Sequence, residues 1–172
     1  MMENKELCKE CKGQCCKNMG CHFSPDQFND LSFEGLKKEI DKGFISIDWW
    51  EGNPFDEEDV TIGKRGYFLR VRNKNKGVID PAFYGECSLL TEDGCSLSYD
   101  ERPKGGRELI PTKENGQFKC ELKYTKNECA RDWYKYSDVL DKLYEYYYED
   151  NNSEDLAVEY DFIKRIMELM NN

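Results

Sequence analysis

The spacing of apolar residues changes twice along the chain, and the changes mark three stretches. FISIDWW at 44–50 alternates apolar with polar residues, the two-residue period of a strand. GYFLRVR at 66–72 repeats the signal, with Tyr67, Leu69 and Val71 on one face. ECSLL and TEDGCSL form two short runs around Asp93-Gly94, a hairpin signal. RPKGGRELIP at 102–111 reads as a tight loop broken by Pro103, Gly105, Gly106 and Pro111. Residues 44–125 are therefore expected to be strand and loop.

Helical spacing governs both flanks. Ser24-Pro25-Asp26-Gln27 is a helix start: Ser caps, Pro fits the first turn and Gln sits at the capping-box position. A second short helix is expected from Phe33 to Lys42, ending at Gly43. Thr125-Lys126-Asn127-Glu128 is a capping box ahead of a long segment in which Trp133, Tyr136, Leu140, Leu143 and Tyr147 form one stripe. The tyrosines of 144–148 read as a packed helix face. Asn151-Asn152-Ser153 breaks that helix, and Leu156, Tyr160, Ile163, Met167 and Met170 recur at helical spacing beyond it. These two segments predict an antiparallel helical hairpin.

The first stretch carries chemistry instead of periodicity. CKECKGQCCKNMGC places Cys8, Cys11, Cys15 and Cys16 close together, with Cys21 just beyond. Cys8, Cys11 and Cys15 would share one face of a helix, although Gly13 makes a turn followed by a helical stub an equal alternative. Cys-x-x-Cys lets two sulfurs converge on one ion, and zinc needs about four such ligands at ~2.3 Å. Cys16 is awkward, because adjacent side chains diverge; it suits a binuclear site, or one of Cys15 and Cys16 is packing. Cys87 and Cys95 flank the Asp-Gly turn, where a hairpin brings their sulfurs together, and Cys120 lies beyond. A site uniting both sets would tie the N-terminal stub to the sheet. Cys129, isolated on a helix, reads as a small buried hydrophobe. Cys21 is balanced between ligand and packing. His22, the single histidine, reads as an exposed residue before a nitrogen ligand.

Composition narrows the setting. Against 25 Lys and Arg stand 35 Asp and Glu, a net charge of −10. Nucleic acid and anionic membrane both need a basic surface, so neither is expected as a partner. MMENKEL has no apolar core of a signal peptide, and no run reaches membrane-span length, so a cytoplasmic protein is expected. Thiols stay reduced there, which favours metal ligation or catalysis over disulfides, and nine cysteines cannot all pair internally. One domain is expected, with 1–125 as the metal-binding part and 126–172 as the hairpin packed on it. The fold class is α+β: a small irregular sheet with an N-terminal cysteine-rich metal-binding segment and a C-terminal antiparallel helical hairpin.

CKECKGQCC followed by ECSLLTEDGCSLSYDERP resembles the YkgJ-type cysteine-cluster proteins, a family described as zinc- or iron-chelating. The family pattern is CxxC, then CC, then a distant Cys, a Gly-Cys and an Arg-Pro, usually with one more Cys after the Pro. The resemblance implies Cys8, Cys11, Cys15, Cys16, Cys87 and Cys95 as ligands. The first spacing is one residue longer than the common form. Lys104-Gly105-Gly106-Arg107 stands where the last Cys belongs, and Cys120 is the substitute. The resemblance carries no defined activity, so the partner is an undefined protein or small molecule and enzymatic activity stays open.

Three functions follow. The first is a zinc protein of structural or accessory role, because thiolates suit zinc without a redox partner. The second is an iron–sulfur protein in electron transfer or oxidoreduction, since Cys₄ ligation serves it equally. The third, a non-metal enzyme with a reactive thiol, is weak with a single histidine to activate it. Zinc is preferred on the mixed spacing and absent redox signature. Asp48, Trp49, Trp50, Arg70, Arg102 and Arg107 are further pocket candidates. Arg102 and Arg107 either flank the metal loop or pair with nearby surface carboxylates.

Overall fold

β1 (Ile45–Glu51) and β2 (Arg65–Val71) pair antiparallel along their full length, with Ile45 opposite Val71 and Glu51 opposite Arg65. The structure, a computed structural model, describes residues 9–150 apart from 57, 60, 62 and 82–84. The architecture is α+β, with helices around small antiparallel sheets. The central pair is widened on both edges by isolated bridges. His22 lies beside Arg70 of β2, and Ile79 lies beside Ile47 of β1. Backbone hydrogen bonds fix both additions: Phe23 N to Leu69 O at 2.9 Å, and Ile47 N to Val78 O at 2.7 Å.

Both faces of the pair are covered. One carries Trp49 and Tyr67, which meet Tyr144 of α4 (Ser137–Asp150), Tyr67 stacking on Tyr144 at 4.8 Å between ring centroids. The other carries Asp48 and Phe68, which meet Lys126 of α3 (Lys126–Trp133). This double cover explains why β2 does not alternate in burial: Phe68, Leu69, Arg70 and Val71 are all buried. α1 (Phe33–Ile40) adds Leu36 and Ile40 to the same core. Its cap is Ser32, whose Oγ accepts from Gly35 N.

A buried charge network crosses the β1–β2 pair. Arg70 Nε donates to Asp48 at 2.9 Å, its Nη2 lies 2.6 Å from Asp80 Oδ2, and Lys126 Nζ reaches Asp48 at 3.0 Å. The expectation that Asp48 and Arg70 line a pocket gives way to this structural role.

The capping box at Thr125 forms, with Thr125 N donating to Glu128 Oε2 at 2.8 Å. The long helix expected after it is divided: α3 ends at Trp133, a 3-10 turn spans Tyr134–Tyr136, and α4 follows. Trp133, Leu140, Leu143 and Tyr147 are buried as the stripe requires, with Tyr136 packed against the core. Of the tyrosine run, Tyr147 is buried while Tyr146 and Tyr148 are exposed. Ser24 caps only a single 3-10 turn, Pro25–Gln27. The second arm of the expected hairpin, from Leu156 onward, lies outside the described residues.

The region after Asp93-Gly94 departs from expectation. β3 (Leu90–Thr91) and β4 (Gly94–Cys95) form the expected hairpin. The supposed loop 102–111 contains a helical turn, α2 (Lys104–Arg107), and enters β5 (Ile110–Glu114), which pairs with β6 (Gln117–Glu121). Gly105 acts there through close approach: its N donates to His22 O at 3.0 Å, and a Cβ on it would stand 3.1 Å from His22 N. Among the described residues no helix is long and apolar enough to cross a membrane.

Candidate metal centre

The N-terminal cysteines are held by backbone geometry. Residues 9–11 are helical, and the chain then turns through Lys12 and Gly13 at φ of 53° and 66° before the 3-10 turn Cys15–Lys17. Gly13 suits this turn twice, because its φ is positive and a Cβ there would meet Leu90 Cδ1 at 2.5 Å. The outcome matches the turn-and-stub alternative. Beyond it, Cys87 N donates to Cys16 O at 2.7 Å and Gly85 N to Asn18 O at 2.6 Å. Val71 N donates to Cys21 O at 2.9 Å, and Gly20 N to Asn73 Oδ1 at 3.0 Å. These bonds knit residues 16–23 onto the end of β2 and onto the segment carrying Cys87.

The remaining thiols arrive from other elements. Cys95 sits at the end of β4, opposite Leu90. Cys120 lies on β6, opposite Pro111, on the hairpin turned by Asn115 and Gly116. An ion pair between Lys113 and Glu10 ties that hairpin to the N-terminal stub.

Together they surround one cavity of about 280 Å³, lined by Cys11, Cys15, Cys16, Cys21, Cys87, Cys95 and Cys120. Val71, Leu89, Leu97, Leu109 and Pro111 make its apolar wall, and Arg102 and Arg107 also line it. Cys11 and Cys87 are buried and the other five are half-buried. Among the described residues no cysteine forms a disulfide. Cys15 Sγ and Cys16 Sγ lie 3.9 Å apart.

This contact redistributes protons. The Cys15 thiol is lowered to about 6, chiefly because Cys16 hydrogen-bonds to its thiolate. The Cys87 thiol is lowered to about 7 for the same reason. Cys16 is raised far up, since its proton serves Cys15 first and then Cys21 and Cys87. Cys95 is raised by burial. Of the sulfurs, those of the neighbours Cys15 and Cys16 are in contact. Among the described residues no group of three or more His, Cys, Asp or Glu is placed to hold a metal ion.

Six of the seven cysteines expected as ligands reach this cavity: Cys11, Cys15, Cys16, Cys87, Cys95 and Cys120. Cys8 lies outside the described residues. Cys21 joins them, and its signal was the extended backbone beside β2, which sends Cys21 and His22 to opposite sides. Gly20 permits that approach, since a Cβ there would stand 2.1 Å from Val71 O. His22 is not the exposed residue expected. It is 1% exposed, packed edge-on against Phe68, and burial lowers its pKa to about 4. Cys129 is buried in the core as expected, donating to the Phe23 carbonyl at 3.3 Å beside the Trp133 indole at 2.7 Å.

Arg102 lines the cavity while its Nε donates to Leu97 O at 3.4 Å. Its loop is clamped from behind: Gln27 Nε2 donates to Arg102 O at 3.0 Å, and Lys104 N donates to Gln27 Oε1 at 2.6 Å. Trp49 is buried against Tyr67 and Arg65 and Trp50 is half-buried, so neither belongs to this cavity. No protein-family model, curated protein or solved structure matches the chain.

Proposed function

We propose that the protein binds metal through its cysteine cluster, zinc in preference to an iron–sulfur cluster, in a structural or accessory role. One observation carries the reading: among the described residues, seven thiols from four separate parts of the chain line one cavity. Packing alone does not account for this, because small hydrophobic cysteines have no reason to seek one another across so many elements. Soft thiolates are the donors that zinc and iron–sulfur centres prefer.

The donor chemistry fits the ion, and two of the thiols are already inclined to ionise. Side chains must turn for three or more sulfurs to share a centre, since among the described residues no three such groups are yet placed for it. Cys11, Cys15, Cys16, Cys21, Cys87, Cys95 and Cys120 would hold the metal, and Arg102 and Arg107 offset the thiolate charge. A zinc ion held this way cross-links the N-terminal segment, the β3–β4 hairpin and the β5–β6 hairpin. The two cysteine motifs that resemble the YkgJ-type proteins support the same reading.

The cavity volume favours a second reading, an iron–sulfur cluster in electron transfer, because a single ion leaves most of 280 Å³ unused. Elemental analysis with a visible spectrum separates the two, on full-length protein purified anaerobically without chelators. Colourless protein with tightly held zinc, depleted in Cys11→Ser and Cys95→Ser but not in Cys129→Ser, is expected. Brown protein with iron and acid-labile sulfide would move the assignment to the second reading. Folded protein with reduced thiols and neither metal would overturn both.

A further inference from the structure

We infer that the loop between β1 and β2 presents Phe55, together with Tyr134, as a docking surface for an arginine-bearing segment of another protein. Neither residue lines the cysteine cavity, and the surface rests on observations independent of it.

Exposure is the first of these. Phe55 is 57% exposed and Tyr134 is 49% exposed. Their rings meet edge to face, with centroids 5.1 Å apart. A single exposed aromatic is ordinary, but two that touch form a joint apolar patch facing water. Among the described residues no cation lies over either ring, and Lys135, next to Tyr134, sits over Tyr136 instead.

The patch stands on fixed backbone. Pro54 is buried, and its carbonyl accepts from Asn127 Nδ2 at 2.9 Å and from Arg131 Nε. Its ring lies close to Gly66 of β2, where a Cβ would stand 3.3 Å from Pro54 Cγ. Phe55 N donates to Asn53 Oδ1 at 3.1 Å, and Asn53 N donates across the loop to Asp59 O at 3.1 Å. Tyr134 opens the 3-10 turn that divides α3 from α4. The chain thus anchors one residue and displays the next, so a partner covering both rings costs little ordering of this backbone.

Charge selects the partner. Asp56-Glu57-Glu58-Asp59 follows Phe55 directly. Asp59 pairs with Lys64, whereas the exposed Asp56 and Glu58 have no ion-pair partner among the described residues. Open aromatic faces beside unpaired carboxylates are complementary to guanidinium, whose plane stacks on a ring while its N–H groups reach a carboxylate. An ammonium matches the carboxylates but is compact, strongly hydrated and stacks poorly. A wholly apolar segment would desolvate the carboxylates without compensation. A second copy of the chain meeting this patch symmetrically would bring the same acidic loop against itself.

The test uses the full chain at physiological ionic strength, where exposed charges more than about 8 Å apart are largely screened. Labelled oligo-arginine and oligo-lysine peptides of equal length are titrated and followed by fluorescence anisotropy. Tighter binding of oligo-arginine is expected. Phe55→Ala and Tyr134→Ala should each weaken it by about two- to fivefold and narrow its lead over oligo-lysine. Asp56→Asn combined with Glu58→Gln should weaken both peptides. Tyr148→Ala, which removes an exposed tyrosine of α4, should change neither. Equal binding of the two peptides, indifferent to Phe55→Ala, would overturn the inference, because it describes diffuse attraction to an acidic chain. Failure of both to bind would overturn it as well. So would self-association in sedimentation that Phe55→Ala abolishes, which assigns the patch to a second copy. Faster hydrogen exchange across residues 151–172 in Phe55→Ala would assign it to the chain's own C-terminal segment and equally overturn the inference.

Discussion

Arg70 has no exposed side-chain surface, yet it carries a full charge. It is stable there because Asp48, Asp80 and the backbone carbonyls of Val71 and Asp80 occupy its donors. Removing one member of a buried ion network strands the others, which costs about 3–5 kcal/mol. Arg70→Met should therefore lower unfolding free energy by that order in urea titrations, with metal content per folded chain unchanged. A loss within about 0.5 kcal/mol, the level of an ordinary surface substitution, would mean the network is not load-sharing. At this scale the sequence was readable where a residue's neighbours in the chain set its fate, and obscure where distant ones did. Cys129, alone on a helix, was legible as core. His22 was not, because its burial comes from Phe68 and the Tyr124 carbonyl, far away in the chain. Arg70 was misread for the same reason: its carboxylate partners lie 22 and 10 positions away.

Elements followed local signals closely. Thr125 and Ser32 both cap, and their helices begin where the side chains direct. Thr125→Ala should cost about 1 kcal/mol, read as a lowered urea midpoint at unchanged slope. Gly13 carries a double demand, a positive φ and contact with Leu90, so Gly13→Ala should destabilise by more than about 1 kcal/mol and weaken metal retention as well. Retention equal to the parent protein would separate this turn from the site. The β5–β6 hairpin went unread although Asn115-Gly116 is a strong hairpin dipeptide. Its strands, IPTKE and QFKCE, are too polar to signal burial and are mostly exposed. Pro and Gly at 103–106 suggested only a loop, whereas Gly105 lets the helical turn come close to His22, where a Cβ would stand 3.1 Å from the His22 nitrogen.

At the scale of the molecule, two parts differ in what holds them. β1, β2, α1, α3 and α4 close around Trp133, Phe68, Leu69, Leu140 and Leu143, a core without need of metal. Residues 11–21, the β3–β4 hairpin and the β5–β6 hairpin converge instead on thiols. Ligands that bind only the native state stabilise it in proportion to the logarithm of their excess over Kd. Chelation should thus lower Tm and speed hydrogen exchange at residues 11–21, 85–97 and 110–121, leaving the exchange of β1 and β2 amides little changed. Uniform loosening of both parts would contradict this division. The convergence was partly legible, since two cysteine sets in one chain asked for a common site. What joins them was not, because the joining is done by backbone hydrogen bonds between residues 16–18 and 85–87, which no side-chain pattern encodes.

The most direct test of the proposed metal-thiolate centre is native mass spectrometry of the full chain, purified anaerobically without chelators and compared before and after denaturation. The account predicts a native mass above the reduced polypeptide by whole zinc increments, lost on denaturation and diminished in Cys16→Ser. A native mass equal to that of the fully reduced chain, in protein that is folded, would contradict it.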